Sequence, residues 1–235
     1  MSDHISKAYD QDIADLKIQL AEMGGLAEEQ LANAIMALSK RDIVLADEVI
    51  ANDDKLDELE RRIEEKAILT IAKRQPVALD LREIMVAIRI CSDIERIGDL
   101  AKNTAKRTHA ISEALPRKLS TGLARMGAMA QAQLAQVLDA YAQRDAEKAM
   151  AVWRSDEDLD TLYNSIFREL LTYMMEDPRN IGLCAHLLFG AKNLERIGDH
   201  TTNIAENIYY LVHGQTITRS RPKKDVTSMM KTEGI

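Results

Sequence analysis

Apolar side chains recur every three or four residues along most of the chain. From residue 10 to 39 they fall at Ile13, Leu16, Leu20, Met23, Ala27, Leu31, Ala34 and Leu38, the spacing of a helix buried along one stripe. Gly24-Gly25 interrupts this stretch and is expected to kink or weaken it. Ser39-Lys40-Arg41-Asp42 reads as a short turn. Asp42 is then the N-cap of a second helix, over about 43–74, whose apolar positions include Leu56, Leu59, Ile63 and Ile68. Pro76 ends that helix. Asp80 followed by Glu83 has the spacing of a capping box and predicts a third helix to about residue 112, with Pro116 at the boundary beyond it.

The same pattern then runs a second time. Helices are predicted over about 117–142, to about 175, and over 181–212, with Asp177-Pro178 repeating the break at Pro76. Arg41, Asp42, Ala46, Val49, Asp53, Leu56, Asp57 and Leu59 recur as Arg144, Asp145, Ala149, Val152, Asp156, Leu159, Asp160 and Leu162, at an offset of 103. Glu95-Arg-Ile-Gly-Asp99 recurs as Glu195-Arg-Ile-Gly-Asp199 at an offset of 100, so one loop is three residues shorter. Short connections force neighbouring helices to run antiparallel. The expected fold is all-α: two tandem antiparallel three-helix bundles, six helices related by an internal repeat. The expected divisions are 1–115, 116–213 and a periodicity-free, mobile tail at 214–235.

Composition agrees with helices. Only 4% of residues are aromatic, so the core is filled by Leu, Ile, Ala and the 11 Met, which lose little rotamer freedom in a helix. A net charge of −7 argues against nucleic-acid binding, because phosphate backbones reward positive charge. The basic run Arg219, Arg221, Lys223, Lys224 reads as a solvated tail. Two cysteines, no secretory start and no apolar run of about 20 residues point to a cytoplasmic chain without a transmembrane segment.

The candidate chemistry lies in stacked carboxylates. Asp53 and Asp57 stand four residues apart on the second helix, and Glu95, Asp99 and Asn103 at steps of four on the third. Asp156 with Asp160, and Glu195 with Asp199 and Asn203, repeat both sets. Residues four apart lie one above the other on a helix, and like charges so placed repel by about 0.2–0.5 kcal/mol per pair. A cation reverses that sign, and carboxylate and amide oxygens suit hard or borderline ions. Counting 100° per residue puts Glu95, Asp99 and Asn103 opposite the apolar stripe of Ile94, Ile97, Ala101 and Thr104, on an outer face. The competing reading is a solvated charged surface. Gly98 and Gly198 sit inside helices, where glycine costs about 1 kcal/mol against alanine; each marks either a close approach by another backbone or a helix crossing. The histidines, His200 among them, show no paired ligand spacing. No phosphate-binding Gly-rich loop and no nucleophile elbow is present.

The doubled Glu-Arg-Ile-Gly-Asp, followed by Leu-Ala-Lys-Asn and by His-Thr-Thr-Asn-Ile-Ala-Glu, resembles the PhoU family of phosphate-specific transport system accessory proteins. The likeness runs from about residue 10 to 213. It implies surface multinuclear metal clusters on Asp53, Asp57, Glu95, Asp99 and Asn103 and on Asp156, Asp160, Glu195, Asp199 and Asn203, with iron, zinc, manganese and magnesium all open. It implies a homodimer and no enzymatic activity. It also implies negative regulation of phosphate uptake and of the phosphate-starvation response. Two partners follow: the ATPase subunit (PstB) of the Pst phosphate transporter, which would bring the chain to the membrane periphery, and the PhoR histidine kinase. Two other readings compete: a ferritin-like or di-metal carboxylate protein, and a structural scaffold with no signalling role.

Overall fold

A computed structural model describes residues 2–111 and 117–218; Pro116 and the basic run from Arg219 to Lys224 lie outside them. Among the described residues there are six α-helices and no strand: α1 (Ser2–Lys40), α2 (Ile43–Arg74), α3 (Leu79–Lys106), α4 (Arg117–Gln143), α5 (Ala146–Glu176) and α6 (Ile181–His213). Helices α1–α3 form one antiparallel bundle and α4–α6 the other. The bundles meet through α1 against α4 and α3 against α6. One continuous apolar core runs through both and includes Leu31, Ile94, Leu134 and Ile197. Each such side chain contributes about 1.5–3 kcal/mol on burial.

The two α–α turns follow from local chemistry. Asp42 accepts the N–H of Leu45 at 3.0 Å and Asp145 that of Lys148 at 2.9 Å. The residues before them, Arg41 and Arg144, take left-handed φ values of 56° and 51°. That bend lets the N–H of Asp42 reach Ala37 O, and that of Asp145 reach Ala140 O, both at 2.9 Å. This is Schellman closure of the preceding helix. The same aspartate therefore finishes one helix and starts the next, which leaves no room for anything but an antiparallel hairpin.

Several sequence expectations give way to packing. Helix α1 runs unbroken through Gly24-Gly25. Gly24 serves contact instead: a Cβ there would lie 2.9 Å from Leu138 Cδ1 of α4. Gly127 on α4 mirrors it, since a Cβ there would lie 2.8 Å from Ile35 Cδ1 of α1. Both glycines and both apolar partners are separated by the repeat offset of 103, so α1 and α4 meet reciprocally. Asp80 and Glu83 form no capping box. Helix α3 starts already at Leu79, with Ala78 before it and no side-chain cap, which puts Asp80 inside the first turn. Glu83 pairs instead with Lys17 of α1 at 2.8 Å and with Arg144 of the α4–α5 turn. Helix α3 also ends before residue 112, passing into a 3-10 turn at Arg107–Ala110. Ile68 is 62% exposed, because the buried stripe of α2 steps from Ile63 to Ala67 and Thr70 and leaves position 68 off the seam.

Candidate functional site

In each bundle the acidic residues lie on the middle and third helices, α2 with α3 and α5 with α6, which pack side by side. The middle helix presents its aspartates because they share the spacing of its buried stripe: Val49, Asp53 and Leu56 in the first bundle, Val152, Asp156 and Leu159 in the second. The glycine of Glu-Arg-Ile-Gly-Asp makes this contact close. A Cβ on Gly98 would collide with Leu56 Cδ1. One on Gly198 would lie 2.5 Å from Leu159 Cδ2 and 2.8 Å from Asp156 Oδ1. What approaches both glycines is a side chain of the neighbouring helix.

The third-helix acids Glu95, Asp99, Glu195 and Asp199 are less exposed than face counting predicts, and of the middle-helix acids, for which no face is assigned, all but Asp57 are buried. Asp53 is 4% exposed, and Asp156, Asp160 and Glu195 are 1% each. Glu95, Asp99 and Asp199 are partly buried, whereas Asp57 and Asn203 are exposed. An outer-face assignment treats the helix as having one packed side. Helices α3 and α6 are packed against both other helices of their bundle and against each other, so the side opposite the apolar stripe is covered at Glu195 and partly covered at Glu95, Asp99 and Asp199, though not at Asn203. In the second bundle aromatic residues add to the cover: Trp153 and Tyr163 are buried on α5, where the first bundle has Ile50 and Glu60.

The two clusters are charged differently. In the first, the Lys102 ammonium bridges helices, contacting Asp53 of α2 and Asp99 of its own helix, the latter at 2.8 Å. Burial opposes the charge on Lys102, but its hydrogen bonds to Asp53 and Asp99 outweigh that and raise its pKa. Arg96 reaches Glu95 and Asp99, both at 3.3 Å. Glu95 is pushed up to about 7, mainly by burial and further by Asp99, Glu60 and Asp57, against the lowering influence of Arg96. Glu60 joins this set: burial and then Glu64 raise its pKa. Its signal in the sequence is the continuation Asp53, Asp57, Glu60, Glu64 at steps of four, three and four.

In the second cluster Thr202 stands where Lys102 stands in the first, and its hydroxyl donates to the backbone carbonyl of Asp199 at 2.7 Å. Lys192 meets Glu195 at 2.8 Å from the same helix and lies over the Tyr163 ring. Asn203 turns toward the first bundle and donates to Asp93 of α3 at 3.2 Å. Glu206, beside the stripe, accepts the indole N–H of Trp153 at 2.9 Å.

A buried glutamine faces each cluster's glycine, a feature the apolar spacing of α1 and α4 hides. Gln30 and Gln133, again 103 apart, are 2% and 4% exposed. Their Oε1 atoms would lie 3.4 and 3.3 Å from a Cβ on Gly98 and Gly198. The oxygen-rich donor sets suit hard or borderline cations. Among the described residues, however, no three His, Cys, Asp or Glu side chains are gathered around one metal-sized position. In the first cluster the central place between Asp53 and Asp99 is held by Lys102.

The PhoU domain model matches residues 20–108 and 123–208, one match per bundle. The phosphate-specific transport system accessory protein PhoU homolog of Rhizobium meliloti is 56% identical over 97% of this chain and 96% of its own length. The homolog of the same description from Caulobacter vibrioides is 50% identical over 97% of this chain and 100% of its own. The crystal structure of PhoU from Pseudomonas aeruginosa superposes with a TM-score of 0.85 at 38% identity, covering 88% of this chain and all of that one. The phosphate transport system regulatory protein PhoU from Streptococcus pneumoniae gives 0.83 at 28% identity, over 90% of this chain and all of that one. The chain belongs to the PhoU family.

Proposed function

We propose that this chain is a non-enzymatic negative regulator of phosphate uptake and of the phosphate-starvation response. In this reading it is a cytoplasmic, metal-binding adaptor between the Pst transporter, through its ATPase subunit, and the PhoR kinase. The observation that carries it is the match of both bundles, nearly end to end, to phosphate transport accessory proteins. Among the described residues no helix is long and apolar enough to cross a membrane, so contact with the membrane runs through the transporter. Exposed apolar side chains gather at the α2–α3 turn, at Val77, Leu79 and Leu81, and near the α5–α6 turn, at Met175 and Ile181. Such surface supports docking of a partner or of a second copy.

Deleting the gene should raise alkaline phosphatase activity in phosphate-rich medium; unchanged activity would sink the signalling role. Metal content should fall in an Asp99→Asn/Asp199→Asn protein that keeps its helical spectrum. Burial of Asp156, Asp160 and Glu195 is the one feature that favours a di-metal carboxylate protein. Ferritin-like sites, though, draw carboxylates and Glu-x-x-His from four helices, and here each acidic set comes from two.

A further inference from the structure

We infer that the cavity between the two bundles, beside Gly25 and Glu28, binds a small organic amine, with its ammonium on Glu28 and its apolar body against Leu20, Leu138 and Tyr141. The site is separate from the acidic clusters and does not depend on their binding metal.

The cavity has a volume of about 350 Å³, within the range of about 300–1,000 Å³ usual for small-molecule sites. Both bundles wall it: α1 supplies Leu20 and Gly25, α4 supplies Leu138 and Tyr141, and the end of α6 supplies Leu211. The internal repeat provides a comparison within one chain. At the offset of 103, Leu20, Leu138 and Tyr141 correspond to Leu123, Ile35 and Leu38, and those three line the equivalent junction. There the space amounts to only about 10 Å³. The same meeting of α1 with α4 is thus closed at one junction and open at the other.

The residues that differ between the junctions indicate what the open one suits. Gly25 corresponds to Ala128, Glu28 to Gln131 and Asp139 to Met36. A glycine inside a helix costs about 1 kcal/mol against alanine. Gly24 has a packing reason in Leu138, but Gly25 has none, since a Cβ there would meet nothing within 4 Å. Gly25 lines the cavity, and its missing side chain leaves that wall open. Glu28 forms no ion pair among the described residues. Burial, and then the nearby Asp139, raise its pKa. Asp139 itself is met by Lys148 at 3.0 Å. The cations of the cavity lie at its other end and are already engaged. Lys17, about 16 Å back along α1 from Glu28, and Arg144 share the carboxylate of Glu83. The charge left to satisfy is therefore negative and stands beside an apolar floor. An ammonium on a short apolar body matches both.

The test is titration of the full-length protein with hexylamine, followed by isothermal calorimetry and saturation-transfer NMR, with hexanol and hexanoate as the uncharged and anionic counterparts. Hexylamine should bind, hexanol about tenfold more weakly, and hexanoate least of the three. Glu28→Gln, which gives this junction the amide of the other, should weaken hexylamine about tenfold and leave hexanol unchanged. Gly25→Leu fills the cavity and should abolish binding of both, with the helical spectrum kept. If that protein does not fold, Ala142→Leu on the facing wall takes its place. No binding of hexylamine, binding of hexanoate at least as tight, or hexylamine affinity unchanged in the filled cavity each overturns the inference. Affinity unchanged in Glu28→Gln overturns the placing of the ammonium.

Discussion

His200 Nδ1 lies 2.9 Å from Asp93 Oδ1, joining the third helix of one bundle to the third helix of the other. Asn203 donates to the same carboxylate oxygen at 3.2 Å, and Asn193 of α6 donates to Thr104 of α3 at 3.3 Å. The seam between bundles is thus fastened by directional contacts as well as by apolar burial. Both side chains of the His200–Asp93 pair are largely buried, at 18% and 14% exposure. A double-mutant cycle of His200→Ala and Asp93→Ala, read by urea unfolding, should give a coupling of about 1 kcal/mol. Additive losses would mean that the contact contributes nothing of its own.

The glycine of the doubled motif should tolerate no methyl group. Gly198→Ala gains helix propensity of about 1 kcal/mol but drives a Cβ onto Leu159 and Asp156. Overpacking of this kind costs about 1–3 kcal/mol. The net effect should be a lower unfolding midpoint, partly restored by Leu159→Ala, which vacates the space. Gly25, whose Cβ would meet nothing within 4 Å, is the control: Gly25→Ala should stabilise.

Glu83 should make the junction of the bundles sensitive to acid. Burial raises its pKa, but hydrogen bonds from Lys17 and Arg144 outweigh that and hold it below the ordinary value of 4.5. A folded pKa lower than the unfolded one contributes stability that is fully present above the unfolded value and lost as pH falls through the folded one. Thermal midpoints of wild type and Glu83→Gln should therefore differ at neutral pH and converge in acid, as pH falls through the lowered folded pKa. A gap that persists in acid would assign the effect to something other than the charge.

Trp153, the one tryptophan, reports on the second bundle alone. Because one apolar core spans both bundles, its fluorescence should change with denaturant at the same midpoint as the helical signal of the whole chain. Separate midpoints would show that the bundles unfold independently.

Much of this molecule is legible in its sequence because its signals are local. Asp42, Asp145 and Pro178 act within one helical turn, and the apolar spacing of α1 names its buried residues one by one. The sites are less legible because their character depends on neighbours. Spacing locates Asp156, Asp160 and Glu195, but only the packing of α5 on α6 buries them. Lys102 looks like an ordinary surface partner of Asp99 three residues away until α2 brings Asp53 to it. Gln30 and Gln133 hide among apolar positions, and their trace in the sequence is that they recur at the repeat offset. Glu83 stands at a capping-box spacing but is drawn off by Lys17 of α1 and Arg144 of the α4–α5 turn.

Gly24 and Ile35 lie on the same helix, as do Gly127 and Leu138, and each glycine takes the apolar side chain of the opposite bundle. A single bundle therefore holds both members of the contact, the notch and the knob. That is the arrangement required of two identical subunits related by a two-fold axis. The fold reads as an ancestral pair joined end to end into one polypeptide. Fusion released the two copies from the obligation to be the same, and position 102 of one now holds a lysine where position 202 of the other holds a threonine.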